Sequence, residues 1–560
     1  MATREEIIAG LTAPGTLFAL EDKDINGVPL RVYANAPRSM RDIFAATIDS
    51  ADRPYLMYQN DVVTFGEAQA KVASIANWLM EQGVKKGDRI AIGMRNYPEW
   101  VLSYWATLSV GAIVVSLNAW WITEELEYAL SDSGARFLIV DGERHDRISD
   151  EMQQKLGIEK VVVVRDQPRG SAIAWDDIAS ATNGQLPTVS LDPEDDCTIL
   201  YTSGTTGFPK GAVATHRNHI TNVWNTLLVG ALSAELAAAA GISPTPPPPV
   251  SISLWTFPFF HIAGVSGMSV AAAARSALCT QYKWDPLEAL QLIQQHRISA
   301  VVGVPTVVRS LLEHPEAYDY DLSSLITISQ GGAPVPPDSI KKIEGEFERK
   351  VGATNGYGLT ETTSAIAVNA GFAYFEKSDS VGLPVIGADI RIVDEDGHEV
   401  PDGQVGELWV RSPNNVRGYW KKPEETAKAF VDGWFKSGDA ARCDPDGYIY
   451  VVDRIKDVVL RGGENVYCAE VEAVLFEHEA VGDVAVIGIP HESLGEEVAA
   501  VIVPKSGSGA KDTEDVRAYA TAKLAGFKVP VKYFWQEEPL PRNATGKVLK
   551  KDLRDAYRNS

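Results

Sequence analysis

The chain has 560 residues, of which 45% are hydrophobic and 23% are charged, and this composition is typical of globular proteins rather than disordered ones. A single hydrophobic core stops growing at roughly 250–300 residues, so we expect at least two folding units. The formal net charge of −23 repels nucleic acid and anionic lipid, and it argues against both as partners.

The cysteines and the N-terminus indicate a reduced compartment. No two of the four cysteines form a CxxC pair, so the sequence predicts neither a zinc site nor a disulfide framework. The opening residues, MATREEIIAG, lack the apolar segment of a secretory signal, and no run of about 18 apolar residues suggests a membrane span. We expect a cytoplasmic protein with no membrane span; the oligomeric state is not readable, and a homodimer stays open.

The first 190 residues alternate helix-like and strand-like segments. Thr64 and Glu67 form a capping box before an apolar helical pattern, and Pro98 opens a second helix. Short apolar runs at residues 89–94, 137–140 and 161–164 are typical of buried strands. Such alternation predicts an α/β fold of layered, largely parallel sheets.

The pattern changes after residue 385. Short β-like runs at 389–393, 407–410 and 448–452 are separated by turns rich in Gly and Asp, which predicts a β-rich subdomain. Beyond residue 453 a helix is predicted at 469–476 and strands at 483–487 and 499–503. We therefore place a domain boundary near residues 453–457 and expect a small α+β domain after it.

Residues 201–211, YTSGTTGFPKG, combine three glycines, four Ser/Thr hydroxyls and the single cation Lys210. Glycines allow successive backbone N–H groups to turn inward, and a lysine supplies a mobile charge for phosphate oxygens. The segment is not a Walker A loop, because Pro209 precedes the lysine and Gly211 follows it. The composition predicts a loop that binds a polyphosphate.

This loop resembles that of the adenylate-forming (ANL) superfamily, which includes acyl-CoA synthetases, aryl-CoA ligases, luciferases and peptide-synthetase adenylation domains. Further segments resemble later family motifs in the same order: GGAP at 331–334, NGYGLTE at 355–361, SGD at 437–439 and PRNATGK at 541–547. Together they span about residues 50 to 550. The resemblance implies a large N-terminal domain (1–453), a hinge (454–457) and a small mobile C-terminal domain (458–560).

The resemblance also implies an ATP site and a catalytic set. Tyr357 offers a ring face to adenine, Asp439 accepts from the ribose hydroxyls, and Glu361 is suited to Mg²⁺. The implied catalytic residues are Lys547, Thr360 and Glu361. The implied ATP-binding residues are Thr202, Ser203, Gly204, Thr205, Thr206, Lys210, Gly332, Ala333, Pro334, Asn355, Gly356, Tyr357, Thr360, Asp439 and Arg454.

A second step, transfer to CoA, is implied by the hinge region. Lys456 matches the hinge position, and Gly462, Gly463 and Glu464 match the loop that replaces Lys547 in the thioester-forming pose. Cys468 stands where relatives most often carry proline, and we expect it to be structural.

The expected function is an ATP-dependent carboxylic acid–CoA ligase that works through an acyl-adenylate and uses ATP, CoA and Mg²⁺. The implied acyl-binding residues are Phe260, His261, Gly303 and Gln330. Small residues such as Gly264 and Gly267 would make the pocket apolar and roomy, which favours a medium- or long-chain fatty acid.

Other substrates and acceptors stay open. An aromatic or steroid side-chain acid is an alternative, as is transfer to an acceptor other than CoA. A non-catalytic nucleotide-binding protein is disfavoured because every charged catalytic position is filled, and no GxSxG or HExxH motif indicates a hydrolase.

Overall fold

The computed structural model describes residues 2–180, 184–202, 209–241, 248–333, 335, 337–347, 351–505, 512–543 and 546–558. Up to residue 239 its strands are β1 (Leu20–Ile25), β2 (Val28–Tyr33), β3 (Pro54–Tyr58), β4 (Asp61–Thr64), β5 (Arg89–Gly93), β6 (Ile113–Ser116), β7 (Phe137–Asp141), β8 (Lys160–Val164), β9 (Ile173–Ala174), β10 (Asp196–Tyr201) and β11 (Gly211–Thr215). The helices of this part are α1 (Arg4–Leu11), α2 (Met40–Ala45), α3 (Phe65–Glu81), α4 (Pro98–Ser109), α5 (Thr123–Ser133), α6 (Gly142–Asp146), α7 (Asp150–Leu156), α8 (Trp175–Ala179) and α9 (His216–Ala239).

The first large sheet has, among the described residues, seven strands in the order β11-β10-β6-β5-β7-β8-β9. All neighbours run parallel except β10 and β11, which form an antiparallel hairpin. Parallel strands with helices between them are what the alternating sequence pattern predicts, and this prediction is confirmed.

The second large sheet is built mostly from residues 252–384. Its strands there are β12 (Ile252–Trp255), β13 (Ala277–Thr280), β14 (Ala300–Gly303), β15 (Thr327–Gly331), β16 (Gly352–Leu359), β17 (Ser364–Ala370) and β18 (Leu383–Pro384). Its helices are α10 (Ile262–Ala274), α11 (Pro286–His296), α12 (Pro305–Leu312), α13 (Pro337–Glu346) and α14 (Phe372–Glu376). The described strand order is β18-β17-β16-β15-β14-β12-β13-β3-β4.

A smaller antiparallel sheet follows, as the β-like texture predicts. It contains β19 (Asp389–Val393), β20 (Gly406–Arg411), β21 (Phe430–Val431), β22 (Trp434–Cys443) and β23 (Ile449–Arg454), with α15 (Pro423–Ala429) beside it. Its last strand ends at a short 3₁₀ turn, Ile455–Asp457.

The remaining residues form an α+β unit with a sheet of its own. Its strands are β24 (Val459–Arg461), β25 (Glu464–Val466), β26 (Val481–His491), β27 (Gly495–Pro504) and β28 (Lys532–Trp535), and its helices are α16 (Cys468–Phe476), α17 (Thr513–Lys523) and α18 (Lys550–Tyr557). The chain leaves one sheet and enters the next across Ile455–Asp457.

The main core lies between the two large sheets. It joins side chains of both sheets, such as Ile90 and Leu278, to helices α3, α4 and α10. The indoles of Trp100 and Trp105 on α4 are fully buried there. Thr64 and Glu67 form the predicted capping box at α3.

No helix in the described ranges combines the length and apolar character that crossing a bilayer requires.

Candidate active site

Lys547 sits in a turn that the C-terminal unit presses against the end of β14. The Asn543 side chain accepts a hydrogen bond from the Lys547 backbone N–H at 2.9 Å, and the Asn543 N–H donates to the Lys547 carbonyl at 2.9 Å. Gly546 has a φ of 81°, and a Cβ there would lie 3.5 Å from the Val304 side chain. A glycine suits both the left-handed backbone and the close approach.

The Lys547 ammonium lies among charged groups from the other sheets. Burial, reinforced by the positive charge of Arg454, lowers the pKa of Lys547 to about 8, while the carboxylates of Asp439 and Glu361 act in the opposite direction. The side-chain amine of Lys547, which belongs to the C-terminal unit, therefore reaches the residues predicted to bind ATP and Mg²⁺.

Lys210, from the first half of the chain, lies against a tyrosine that contacts Glu361. Its Nζ lies 4.3 Å from the ring centroid of Tyr419, and the Tyr419 hydroxyl donates to Glu361 Oε1 at 2.8 Å. Such a cation–π contact is worth roughly 0.5–2 kcal/mol. Lys210, through the Tyr419 ring, and Lys547, through the charge of the carboxylate, are thus both linked to Glu361 although they are far apart in sequence.

Tyr419 is a site residue that sequence reasoning missed. It follows β20 in a stretch with no family motif, and only its contacts with Lys210 and Glu361 identify it. The ring is 8% exposed, and burial, with the nearby Glu361 charge, raises its pKa. The phenol stays protonated and donates to the carboxylate.

The hairpin of β10 and β11 positions the phosphate loop. The Thr202 N–H donates to the Lys210 carbonyl at 2.9 Å, which closes the base of the loop. A Cβ on Gly211 would lie 2.6 Å from Ile199, so glycine is required there for packing. The predicted ligands Ser203, Gly204, Thr205 and Thr206 lie outside the described residues.

Asp439 joins two other predicted ATP residues. The Tyr357 hydroxyl donates to its carboxylate, and Arg454 Nε lies 2.6 Å from Asp439 Oδ1. Asp439 is 2% exposed, and burial together with its charge raises the pKa of Tyr357 well above its usual value. The residues predicted for adenine, ribose and nucleotide thus form one connected group.

The ends of β15 and β16 bring up the remaining nucleotide positions. Asn355 and Gly356 lie in β16, and Thr360 and Glu361 start the 3₁₀ turn after it. Gly332 follows β15 with a φ of 74°, and a Cβ on it would lie 3.3 Å from the Phe257 ring. Ala333 is the next described residue, and Pro334 lies outside the described residues.

His261 stands at the junction between the nucleotide residues and α10. It is the N-cap of that helix, and its Nδ1 accepts from the Ala263 N–H at 3.3 Å. Burial, together with the positive charge of Lys547, lowers the pKa of His261 to about 3, so its imidazole is neutral at physiological pH. The adjacent Phe260 is 9% exposed, and its carbonyl accepts from Ser116 at 2.8 Å.

The expectation of a roomy pocket is wrong where it rests on the glycines. A Cβ on Gly267 would lie 2.1 Å from the Trp255 indole, and one on Gly264 would lie 2.1 Å from the Pro258 carbonyl oxygen. At Gly303 the Thr256 hydroxyl would lie 2.3 Å away. These glycines admit close packing, because neighbouring atoms already fill the space that a side chain would take.

The side chains near the ends of β12, β14, β15 and β16 lie on two different faces of the second sheet. Trp255, Val302, Ser329 and Thr354 are register partners across β12, β14, β15 and β16, and all four are partly exposed. We call these residues the sheet row. Because successive side chains alternate between faces, Gln330 lies on the opposite face.

Gln330 does not join the sheet row. Its side chain is 3% exposed, and its Oε1 accepts from Ser339 of α13 at 3.2 Å. Ser329 and Gln330 point to opposite faces because a single step along a strand reverses the side chain, and the acyl-binding role of Gln330 stays a prediction.

The hinge and loop residues predicted for the second step lie in and after the 3₁₀ turn. Lys456 is in that turn, and burial lowers its pKa. Gly462 and Gly463 form the turn between β24 and β25, and Glu464 beside them is exposed. Cys468 is fully buried, and its thiol contacts the Asp457 carbonyl at 3.1 Å.

A cavity of about 560 Å³ opens where the C-terminal turn meets the N-terminal part. Its walls include Trp255, Phe257 and Val304 on one side and Arg542 and Gly546 on the other. This volume is within the usual range for small-molecule sites, roughly 300–1,000 Å³.

Comparisons with known proteins identify the family of this chain. Residues 45–420 match the model of the AMP-binding enzyme family, and residues 470–547 match that of the AMP-binding enzyme C-terminal domain. A feruloyl-CoA synthase from Amycolatopsis sp is 36% identical over 496 residues, covering 88% of this chain and 94% of the relative. A long-chain-fatty-acid–CoA ligase from Bacillus subtilis is 33% identical over 532 residues, covering 90% and 91%.

Solved structures show the same fold. The anthranilate CoA ligase AuaEII in complex with anthranoyl-AMP has a TM-score of 0.82 at 25% identity, with 92% of this chain and 97% of that chain covered. ATP-bound MatB from Rhodopseudomonas palustris has a TM-score of 0.79 at 30% identity, covering 93% and 99%. The chain belongs to the AMP-binding enzyme family, in the acyl-CoA synthetase branch of the adenylate-forming superfamily, and is an AMP-forming acid–thiol ligase.

Proposed function

We propose that the chain activates a carboxylic acid as its acyl-adenylate with Lys547 as the principal catalytic cation. The observation that carries this proposal is the convergence of Lys210 and Lys547 on Glu361. The acid carboxylate attacks the α-phosphorus of ATP, a mixed anhydride forms, and pyrophosphate leaves. Two anions must approach each other, so positive charge placed beforehand lowers the barrier.

Each residue of the group has a separate task in this step. Lys547 stabilises charge between the carboxylate and the α-phosphate, and Lys210 moves from the Tyr419 ring to the phosphate chain. Tyr357 and Asp439 hold adenosine, with Thr360 at the phosphates. Glu361 offers the hard oxygens that Mg²⁺ prefers, and such an ion would neutralise phosphate charge.

Transfer to CoA requires the C-terminal unit to move. We assign residues 1–453 to the N-terminal domain, 454–457 to a hinge and 458–560 to a mobile domain. The short turn Ile455–Asp457 supports this assignment, because only this turn and Val458 separate β23 and β24, which belong to different sheets. Rotation about Lys456 would withdraw Lys547 and bring the 462–464 turn to the adenylate.

The acid we propose is a compact, ring-bearing one. The indole of Trp255 occupies the space over Gly267 and limits the depth beside α10, which suits a flat ring better than a long flexible chain. The relative named feruloyl-CoA synthase supports this choice. The second candidate is the medium- or long-chain fatty acid favoured by the sequence, and the Bacillus subtilis relative supports it.

Pyrophosphate release tests both parts of the proposal. A panel of aryl acids and of saturated acids with 8 to 16 carbons would be assayed with and without CoA. We expect the protein to turn over aryl acids, and we expect continued turnover to require CoA as the acyl acceptor. Faster turnover of the long saturated acids would contradict the proposal of an aryl acid. Pyrophosphate release that is unaffected by CoA would contradict the proposal that CoA is the acceptor.

A variant sharpens the substrate test. Trp255→Ala removes the indole from the space over Gly267, so we expect longer acids to gain relative to aryl acids. Trp284→Ala, which also alters the wall of the 560 Å³ cavity but lies away from Gly267, is the matched control. An unchanged chain-length profile in Trp255→Ala would show that the indole does not limit the acid.

A further inference from the structure

The C-terminal unit rests on helix α12 of the N-terminal part at two places. Val304, the N-cap of α12, lies beside Gly546 in the turn that carries Lys547. About one and a half turns further along the helix, the Arg309 guanidinium lies over the Phe476 ring, 4.5 Å from its centroid. Phe476 is the last residue of α16. The second contact therefore joins the two parts of the chain through residues to which the proposed mechanism gives no task.

The Arg309 side chain is fixed in direction by its neighbours on the N-terminal part. Its Nε donates to Glu313 Oε2 at 3.1 Å one turn further along α12, and Glu313 Oε1 accepts from Lys342 of α13 at 2.9 Å. Such partly exposed pairs contribute little to stability by themselves. They do restrict a long side chain, so the guanidinium loses less conformational entropy when it stacks on a ring. Helices α12 and α13 therefore present Arg309 to the C-terminal unit.

The end of α16 is fitted to this contact from its own side. The Phe476 ring packs against the apolar cluster that α16 shares with β26 and β27. At the next residue, a hydrogen bond from Lys523 lowers the pKa of the Glu477 carboxyl, and the positive charge of Lys341 on α13 acts in the same direction. Arg309 and Lys341 thus meet the end of α16 from two helices of the N-terminal part.

Helix α16 is also joined to the turn that carries Lys547. Glu472, on the same helix as Phe476, forms an ion pair with Lys550 at 2.7 Å, and both side chains are largely buried. Lys550 follows Lys547 by three residues and starts α18. A buried, hydrogen-bonded ion pair of this kind fixes the geometry of the two elements that it joins. A displacement of α16 is therefore transmitted to Lys547.

We propose that Arg309 and Phe476 are positioning residues that hold the C-terminal unit in the pose in which Lys547 reaches the reacting groups. Rotation about residues 454–457 moves Phe476 and leaves Arg309 in place, so the contact stabilises the adenylate-forming pose and not the thioester-forming one. This inference rests on the proposed function, because it names what holds the pose of its first step. Loss of the contact shifts the population towards the other pose, which slows the first step and spares the second.

The test measures the two half-reactions separately on the full-length protein. The first is pyrophosphate release in a single turnover without CoA, with the acid of the aryl and saturated panel that the wild-type protein uses fastest. The second is thioester formation from CoA and the chemically prepared adenylate of the same acid. In Arg309→Ala and in Phe476→Ala we expect the first rate to fall by about three- to tenfold, a size expected for one partly buried cation–π contact. The second rate should be unchanged or higher.

Conservative and combined variants separate positioning from folding. Phe476→Tyr keeps the ring and should retain the wild-type ratio of the two rates. Arg309→Ala combined with Phe476→Ala should lower the first rate no further than the stronger single variant, because both remove the same contact. Phe527→Ala is the matched control for the ring, since Phe527 packs on the same apolar cluster but contacts Lys528 of its own unit. Arg297→Ala, which removes an exposed arginine at the end of α11, is the control for the cation, and both controls should leave the ratio unchanged.

The outcomes are distinguishable. A thermal unfolding measurement on every variant identifies poor folding, and Arg309→Ala decides the case if Phe476→Ala folds poorly, because its loss leaves the C-terminal core intact. If Arg309→Ala lowers neither rate, or lowers both equally, the contact does not position Lys547, and this inference is overturned while the proposed function stands. If the wild-type protein releases no pyrophosphate with any acid of the panel, the proposed function is wrong and the inference falls with it.

Discussion

The phosphate side and the acid side of the site are built in different ways. On the phosphate side, charged groups meet around Glu361: Lys210 through the Tyr419 ring, and Lys547 from the C-terminal turn. On the acid side, the neutral indole of Trp255 on β12 packs over Gly267 of α10, so one strand and one helix form the contact. The first arrangement suits any substrate that carries a triphosphate, and the second determines which acid is accepted.

The chemistry and the specificity therefore depend on different kinds of structural feature. The triphosphate is the same whichever acid is bound. Short contiguous motifs can therefore supply the positive charge that it needs, because the loop and its cation must keep a fixed spacing. Selectivity for the acid depends on which side chains of a sheet and a helix face a shared space, and that depends on tertiary packing. Variants on the two sides should therefore differ in the size of their effect on the rate and in the reaction step that they affect.

The largest effect is expected at Lys547. In Lys547→Ala the moving negative charge loses its preorganised contact, so acid-dependent pyrophosphate release falls by roughly 10²–10³-fold. The preference among acids remains, because the acid side is untouched. Lys551→Ala, which removes an exposed lysine of the same helix-and-turn region, serves as control. Nearly unchanged release by Lys547→Ala would refute the catalytic assignment.

The second prediction separates the two steps. Lys456→Pro stiffens the hinge, so adenylate formation continues while acyl-CoA formation falls by about a hundredfold, as expected when the reacting groups cannot be brought into line. Pyrophosphate exchange and thioester formation are measured on the same preparation, with Lys456→Ala as the flexible control. An equal decrease in both steps would mean that Lys456 is not the hinge.

The same division explains what the sequence could and could not reveal. The capping box at Thr64, the helix at Pro98 and the change to a β-rich texture after residue 385 follow from local rules, and the structure has all of them. The approach of Lys547 to Glu361 was implied by motifs at both ends of the chain, and the structure brings those residues together.

The acid side could not be read in this way. Whether Ser329 or Gln330 faces the site depends on one step of strand register, and a glycine such as Gly267 opens space only if no neighbour fills it. Tyr419 gave no signal because an aromatic residue after a strand is usually core packing. Each of these features depends on contacts between segments distant in sequence.

The third prediction concerns pH. Because the folded, ligand-free protein holds the pKa of Lys547 at about 8, the ammonium is lost as the pH rises through that value. We expect kcat/KM for adenylation to be level below pH 8 and to fall by up to about tenfold per pH unit above it. Lys547→Arg, which stays charged, should abolish this alkaline limb even if its rate is lower. A level profile to pH 10 would show that the ammonium is not the titrating group.

The smallest effect is expected at Tyr419, which lies between the two cations. Tyr419→Phe keeps the ring beneath Lys210 but removes the hydroxyl that donates to Glu361, so the carboxylate loses one hydrogen bond. The expected change is about three- to tenfold in the Mg²⁺ concentration needed for half-maximal release, with the acid preference unaltered.

Tyr419→Leu removes the ring as well and should add a rise in the KM for ATP, because Lys210 loses the surface that holds it near the site in the absence of nucleotide. If both variants raised the KM for ATP equally, the hydroxyl would account for the whole effect, and the cation–π contact would make no contribution to ATP binding. If instead either variant altered the preference among acids, the phosphate side and the acid side would be coupled through Glu361, and the separation drawn between them would fail.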